Sequence, residues 1–139
     1  MKAPLICVIG LGAFGFELAL ELSRRGACVT AIDRNGDLVG EIADQIARPL
    51  VADVTDMTML KQLHLESFDV VCVAIVHELL PVLTVLSVME EEKAMDKLYC
   101  RLPRNKTFRL LYQQLGLKQL LDFEYLAASR VAEELCEGY

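Results

Sequence analysis

With 139 residues, of which 54% are hydrophobic and 24% charged, the chain is long enough for one domain and too apolar for intrinsic disorder. Its 20 acidic residues outnumber its 14 basic ones, a net charge of −6, which argues against a nucleic-acid face, since that needs clustered Lys and Arg. The five cysteines form no C-x-x-C pair and the two histidines, His64 and His77, stand apart, so no metal site is expected.

In chain order the pattern is strand, helix, strand, helix. The apolar run at 5–9 reads as a strand covered on both faces, followed by glycines and a helix over 13–25. In that helix Glu21 pairs one turn ahead with Arg25, and Gly26 stops it. A strand over 27–32 leads to a helix from Asn35 or Gly36 to 46. A short strand at 49–51, a helix capped by Thr55 or Asp56 and running to 63, and a very apolar strand at 69–75 come next. The fourth helix, 78–93, tolerates Pro81 in its first turn. A strand at 97–101, a helix over 106–115 ended by Gly116, a short strand at 119–121 and a helix over 123–137 complete the pattern.

Such strict alternation predicts an α/β fold: a doubly wound, mostly parallel six-stranded sheet, Rossmann-like, in a single domain covering 1–139. Four of the five cysteines fall in strand runs and read as buried, reduced thiols of a cytoplasmic protein. The greasiest stretch, 79–89, is too short to span a bilayer, and the first apolar run leads straight into glycines rather than a cleavage site. Neither membrane insertion nor a signal peptide is expected.

The informative segment is Gly10-Leu-Gly12-Ala-Phe-Gly15, a G-x-G-x-x-G pattern closing the first strand and opening the first helix. In that context Gly10 permits a tight turn, Gly12 lets a pyrophosphate approach the backbone, and Gly15 lets helix and strand pack closely. Free N–H groups at the helix start then meet phosphate oxygens. Asp33 ends the second strand, eighteen residues after Gly15, where a carboxylate accepts both hydroxyls of an adenosine ribose. It disfavours NADP, although the adjacent Arg34 acts against that. Asp33 does not separate NAD(H) from AMP, ADP or ATP, because all carry the same hydroxyls.

A hydride-transfer enzyme also needs a substrate pocket and a proton donor or acceptor. His64 falls at a helix end away from the strand C-termini and reads as a surface residue. His77 directly follows the fourth strand and reads as structural, although its position permits it to face the crevice. None of Tyr99, Tyr112, Tyr125 and Tyr139 has a Lys three or four residues on, and no G-K-[ST] occurs. No catalytic set is visible.

The segments at 8–15 (Val-Ile-Gly-Leu-Gly-Ala-Phe-Gly), 29–33 (Val-Thr-Ala-Ile-Asp), 51–55 (Val-Ala-Asp-Val-Thr) and 70–75 (Val-Val-Cys-Val-Ala-Ile) resemble the TrkA-N or RCK domain of Trk/Ktr-type potassium-uptake regulatory proteins. The closing stretch at 115–121, with the helix that ends in Val131-Ala-Glu-Glu-Leu135, resembles that family as well. The first two motifs are common to Rossmann folds, whereas Ala-Asp-x-Thr and the closing stretch are more particular. The resemblance implies a cytoplasmic sensor, peripheral at the membrane through a potassium channel or transporter subunit, that binds NAD(H) or an adenine nucleotide.

The resemblance maps phosphate contacts onto Gly10, Gly12, Ala13, Phe14 and Gly15, and the ribose contact onto Asp33. It maps the adenine pocket onto Asp53, Val54 and Thr55, the crevice floor onto Ala74 and Ile75, and a far phosphate or nicotinamide contact onto Arg101. Ala13 stands where many Ktr-type members have an arginine, and Val76, Leu79 and Leu80 are apolar where the family is small and polar. Both departures bear on the far half of the site. The competing readings are a small NAD-dependent oxidoreductase, or the cofactor half of one, and a scaffold that has lost its ligand.

The fourth helix is apolar almost all round, and a stripe of somewhat over ~100° is enough for a helix on a sheet. A homodimer or higher assembly is therefore expected, centred on Leu83 and Leu86 and extended by Leu111 and Tyr112. The alternative is that the last helix of the same chain covers it.

Overall fold

The structure, a computed structural model, describes residues 2–137. Among these, six strands alternate with six α-helices: β1 (Leu5–Ile9), α1 (Ala13–Arg24), β2 (Cys28–Asp33), α2 (Gly36–Ile42), β3 (Arg48–Val51), α3 (Met57–Leu63), β4 (Val70–Val73), α4 (Leu79–Glu91), β5 (Leu98–Arg101), α5 (Lys106–Gln114), β6 (Leu120–Leu121) and α6 (Phe123–Cys136). The sheet runs β3-β2-β1-β4-β5-β6, and every neighbouring pair is parallel. From β1 the chain builds outward to β3, then returns to place β4 on the other side of β1. That reversal makes a crevice beyond the carboxyl ends of β1 and β4, where ligands bind in such sheets.

Alternation along the strands sorts the core into two layers. Cys7 and Ile9, with Ile32, Val71, Val73 and Cys100, face α3, α4 and the α5 residue Tyr112. Ile6 and Val8, with Val29 and Ala31, face α1 and α2. Asn35, Asp56, Asn105 and Asp122 cap α2, α3, α5 and α6 by accepting backbone N–H groups. The two helices that start at the crevice, α1 after Gly12 and α4 after Glu78, have no side-chain cap.

The predicted fourth strand is cut short. Gly10, with φ +99°, turns β1 out of the sheet, so although Ala74 N still donates to Ile9 O, Ile75 lies against the turn instead of pairing. The predicted second helix ends at Ile42 and continues as a 3₁₀ turn over Ala43–Gln45. The Glu21–Arg25 pair forms at 3.0 Å.

Much of the apolar surface expected to form an interface on α4 is covered within this chain, while Leu83 and Leu111 stay half-buried and Leu80 is exposed. Val82, Val85, Leu86, Val88 and Met89 are buried within this chain, Leu86 at 6% exposure and Tyr112 at 2%. The sheet covers one side of the helix, and residues from α3, from the turn after it and from α5 cover part of the remainder. The cover is therefore internal, yet it is not α6. That helix has no buried residue and leaves Tyr125, Leu126, Val131 and Leu135 exposed.

The thiol expectation also needs correction. Cys7, Cys72 and Cys100 are buried, but Cys28 and Cys136 are exposed, because they stand at the uncovered start of β2 and the end of the unpacked α6. Burial pushes the Cys7 and Cys100 thiols up to about 12, so they stay protonated at neutral pH.

Candidate functional site: the crevice at the ends of β1, β2 and β4

The glycine turn is held from both sides. Gly10 N donates to Ile32 O at 2.8 Å, and Leu11 N donates to Asp33 Oδ2 at 2.7 Å. A Cβ on Gly10 would meet Ile75 Cγ1 at 2.7 Å, and one on Gly15 would fall on the Gly10 carbonyl oxygen and crowd Ala74. Gly12 differs: its φ is −67° and a Cβ there would meet nothing within 4 Å. It faces open space in front of the uncapped first turn of α1, whose N–H groups have no intrahelical acceptor. Such a turn is suited to an anion.

Asp33 completes this wall. Its Oδ1 accepts Asn35 N at 2.8 Å while Oδ2 accepts Leu11 N. An ionised carboxylate has about four acceptor positions, so roughly two remain for hydroxyl donors. Between the turn and Asp33 lies a cavity of about 280 Å³, lined by Gly10, Gly12, Asp33, Arg34, Asp53, Val54 and Ile75 of the predicted residues. Its walls are mostly apolar, with polar groups gathered at the end of β2, the composition of a small-ligand pocket.

Asp53 is fixed by its neighbour: Oδ1 accepts Thr55 Oγ1 at 2.7 Å and Thr55 N at 2.9 Å. These bonds, with the nearby Arg34 charge, hold its carboxyl below the usual carboxylate range. Thr55 therefore positions Asp53 rather than lining the cavity. Ala74 is likewise not floor: its methyl group packs under Gly15, while Ile75 reaches the cavity.

On the other side of the switch point, a second cavity of about 420 Å³ is lined by Val76, His77, Arg101, Arg104, Phe108 and Glu124, among others. The Arg101 guanidinium carbon lies 5.5 Å from the Phe14 ring centre and 4.9 Å from that of Phe123, and Nη2 donates to Glu124 Oε1 at 3.2 Å. Phe14 and Phe123 are themselves 4.6 Å apart. Phe14 and Arg101, expected at the phosphates and the far half of a ligand, are thus engaged with the first turn of α6. Ala13 and Gly15 complete the first turn of α1. His64 is exposed, in a left-handed conformation at the end of α3, and His77 is exposed at the second cavity.

Sequence reasoning missed Glu78, Asn35, Leu38 and Pro81 in the first cavity, and Phe123 and Glu124 beside the second. Asn35 and Leu38 were findable from their distance to Asp33. Glu78, the residue after His77 just past the end of β4, was findable in the same way, whereas Phe123 reaches the crevice only through packing between distant segments.

Among the described residues, no helix is long and apolar enough to cross a membrane, and no group of three or more His, Cys, Asp and Glu could hold a metal ion.

The chain is 44% identical over 68 residues to the Ktr system potassium uptake protein C of Bacillus subtilis, a match covering 49% of this chain and 31% of that protein. It thus spans about a third of the length of that relative. Its fold superposes on the TrkA-N domain of the inner membrane protein ybaL of Escherichia coli with a TM-score of 0.72 and 16% identity, covering 99% of this chain and 98% of that one. It also superposes on the GsuK channel bound to NAD, with a TM-score of 0.66 and 12% identity, covering 88% of this chain and 22% of the channel chain. A family model for the TrkA-N domain matches residues 6–121. The parallel sheet, the glycine turn and Asp33 agree with that match, and the chain belongs to the TrkA-N domain family.

Proposed function

We propose that the chain is a nucleotide-sensing regulatory domain. It binds NAD(H) or an adenine nucleotide (AMP, ADP or ATP) in the first cavity and passes the ligand state to a potassium channel or transporter subunit. The observation that carries this reading is the spare acceptor capacity of Asp33 at the end of the cavity, facing the open first turn of α1. Ribose hydroxyls fit the one and phosphates the other. The naming of the B. subtilis relative as a potassium uptake protein supports the regulatory role and a cytoplasmic location beside a membrane partner. The contacts assigned to Gly10, Gly12, Ala13 and Asp33 belong to this proposal, as does a non-catalytic role.

We place self-association on α6 rather than α4, because Tyr125, Leu126, Val131 and Leu135 gather four exposed large apolar residues on one helix, whereas among the described residues Leu80 is the one large apolar residue that α4 exposes. Sedimentation of wild type and Leu135→Glu tests this, and a monomer in both contradicts it. For the ligand, native mass spectrometry of the purified protein should show an adenine nucleotide, and calorimetry should show it rebinding after removal. Absence of binding to any adenine nucleotide at millimolar concentration would refute the reading.

A further inference from the structure

Arg34 directly follows Asp33 and lines the same cavity, so its guanidinium stands at the ribose end of the site. A free arginine there would draw a 2′-phosphate by paired, charge-assisted hydrogen bonds. In this fold it is not free. Its Nη2 donates to Glu78 Oε1 at 2.9 Å across the crevice, from the end of β2 to the start of α4. Glu78 precedes the uncapped first turn of α4, where the helix dipole favours its negative charge.

We propose that Glu78 sets the ribose specificity of the cavity: by taking up Arg34 it makes the site accept a free 2′-hydroxyl and reject a 2′-phosphate. This inference rests on the adenine-nucleotide reading above. Asp33, Asp53, Glu78 and Arg34 are the charged residues lining the cavity, three carboxylates against one guanidinium. A 2′-hydroxyl donates to the unused acceptor positions of Asp33 and leaves the Arg34–Glu78 pair intact. A 2′-phosphate adds negative charge among three carboxylates, and Arg34 can turn to it only by leaving Glu78 unpaired beside it. The pair is exposed, at 67% and 46%, and so contributes little to folding. Its effect lies in what it denies the ligand.

The probes are AMP and adenosine 2′,5′-bisphosphate, which differ by the 2′-phosphate alone, titrated calorimetrically into wild type, Glu78→Gln, Glu78→Arg and the double variant Glu78→Gln with Arg34→Ala. Wild type should prefer AMP. Glu78→Gln should shift the affinity ratio toward the bisphosphate about three- to tenfold, the scale of one or two exposed charge contacts, and Glu78→Arg should shift it further. Removing Arg34 in the Glu78→Gln background should cancel the gain. Thermal unfolding of each variant checks that it is folded. Tight AMP binding with a ratio unchanged in both single variants overturns the role of Glu78 and leaves the adenine-nucleotide reading standing. Failure of wild type to bind AMP and NAD alike overturns both.

Discussion

On the β1–β3 side of the switch point the crevice is an open cavity, walled by a backbone turn and by carboxylates with unused acceptor positions. On the β4–β5 side, Arg101 lies against both Phe14 and Phe123, which also touch each other, and is bonded to Glu124, so the chain already engages its own charged group. The first half has the character of a receptor. The second is a joint, because Phe14 belongs to the glycine turn and Phe123 to the first turn of α6. Beyond that turn α6 buries nothing in this chain. A ligand pressing on the first turn of α1 therefore sits one aromatic contact away from the helix that is least tied to the core.

The sharpest way to break this comparison is in the glycine turn. Gly15→Ala should cost about 3 kcal/mol or more, since its Cβ would meet a backbone carbonyl that has no room to yield. Gly12→Ala, pointing into open space, should cost less than about 1 kcal/mol while weakening nucleotide binding. Chemical denaturation and calorimetry on the pair separate scaffold from receptor. If both lose stability equally, the open space before Gly12 does not serve a ligand.

A smaller effect tests the joint. Phe123→Ala removes one aromatic and one cation–π contact, together about 1–2 kcal/mol at this part-buried site. Hydrogen exchange should speed up through α6 and the glycine turn and stay unchanged in β1 and β2. Equal acceleration everywhere would make the contact an ordinary piece of core.

Much of this was legible from sequence where the cause is local. Gly10, Gly12, Gly15 and Asp33 announce a turn and a strand end within one β-α-β unit, and the structure brings them to one crevice. The two-sided burial of β1 followed from its unbroken apolar run. The fourth helix was harder to read, because apolarity records that a helix is covered without recording by what. Leu65 and Phe68 before the helix and Tyr112 well after it supply much of its cover. The Arg34–Glu78 and Phe14–Phe123 contacts were silent for the same reason, as no spacing rule links residues that meet only after the sheet forms.

The smallest expected effect is the pH response of Asp53. Its folded pKa lies below the unfolded value, so its bonds to Thr55 stabilise the fold above the unfolded pKa. That contribution fades as pH falls through the folded pKa, below the ordinary Asp value of about 4. Asp53→Asn should flatten the acid end of the stability profile slightly, by lowering stability a little at neutral pH and leaving it unchanged at pH values where Asp53 is already protonated. A variant that loses the same stability at acid and neutral pH would assign Asp53 a packing role instead.

The central claim is that Asp33 and the open turn form a receptor for an adenosine ribose and its phosphates. The most direct measurement is calorimetric titration of AMP and NAD into wild type and Asp33→Ala, with unfolding curves for both proteins. Asp33→Ala should stay folded at a cost of about 1–3 kcal/mol for the Leu11 N–H left without its acceptor. It should lose roughly 1.5–3 kcal/mol of binding for each ribose hydrogen bond removed. A folded Asp33→Ala that binds both nucleotides as tightly as wild type would contradict the account.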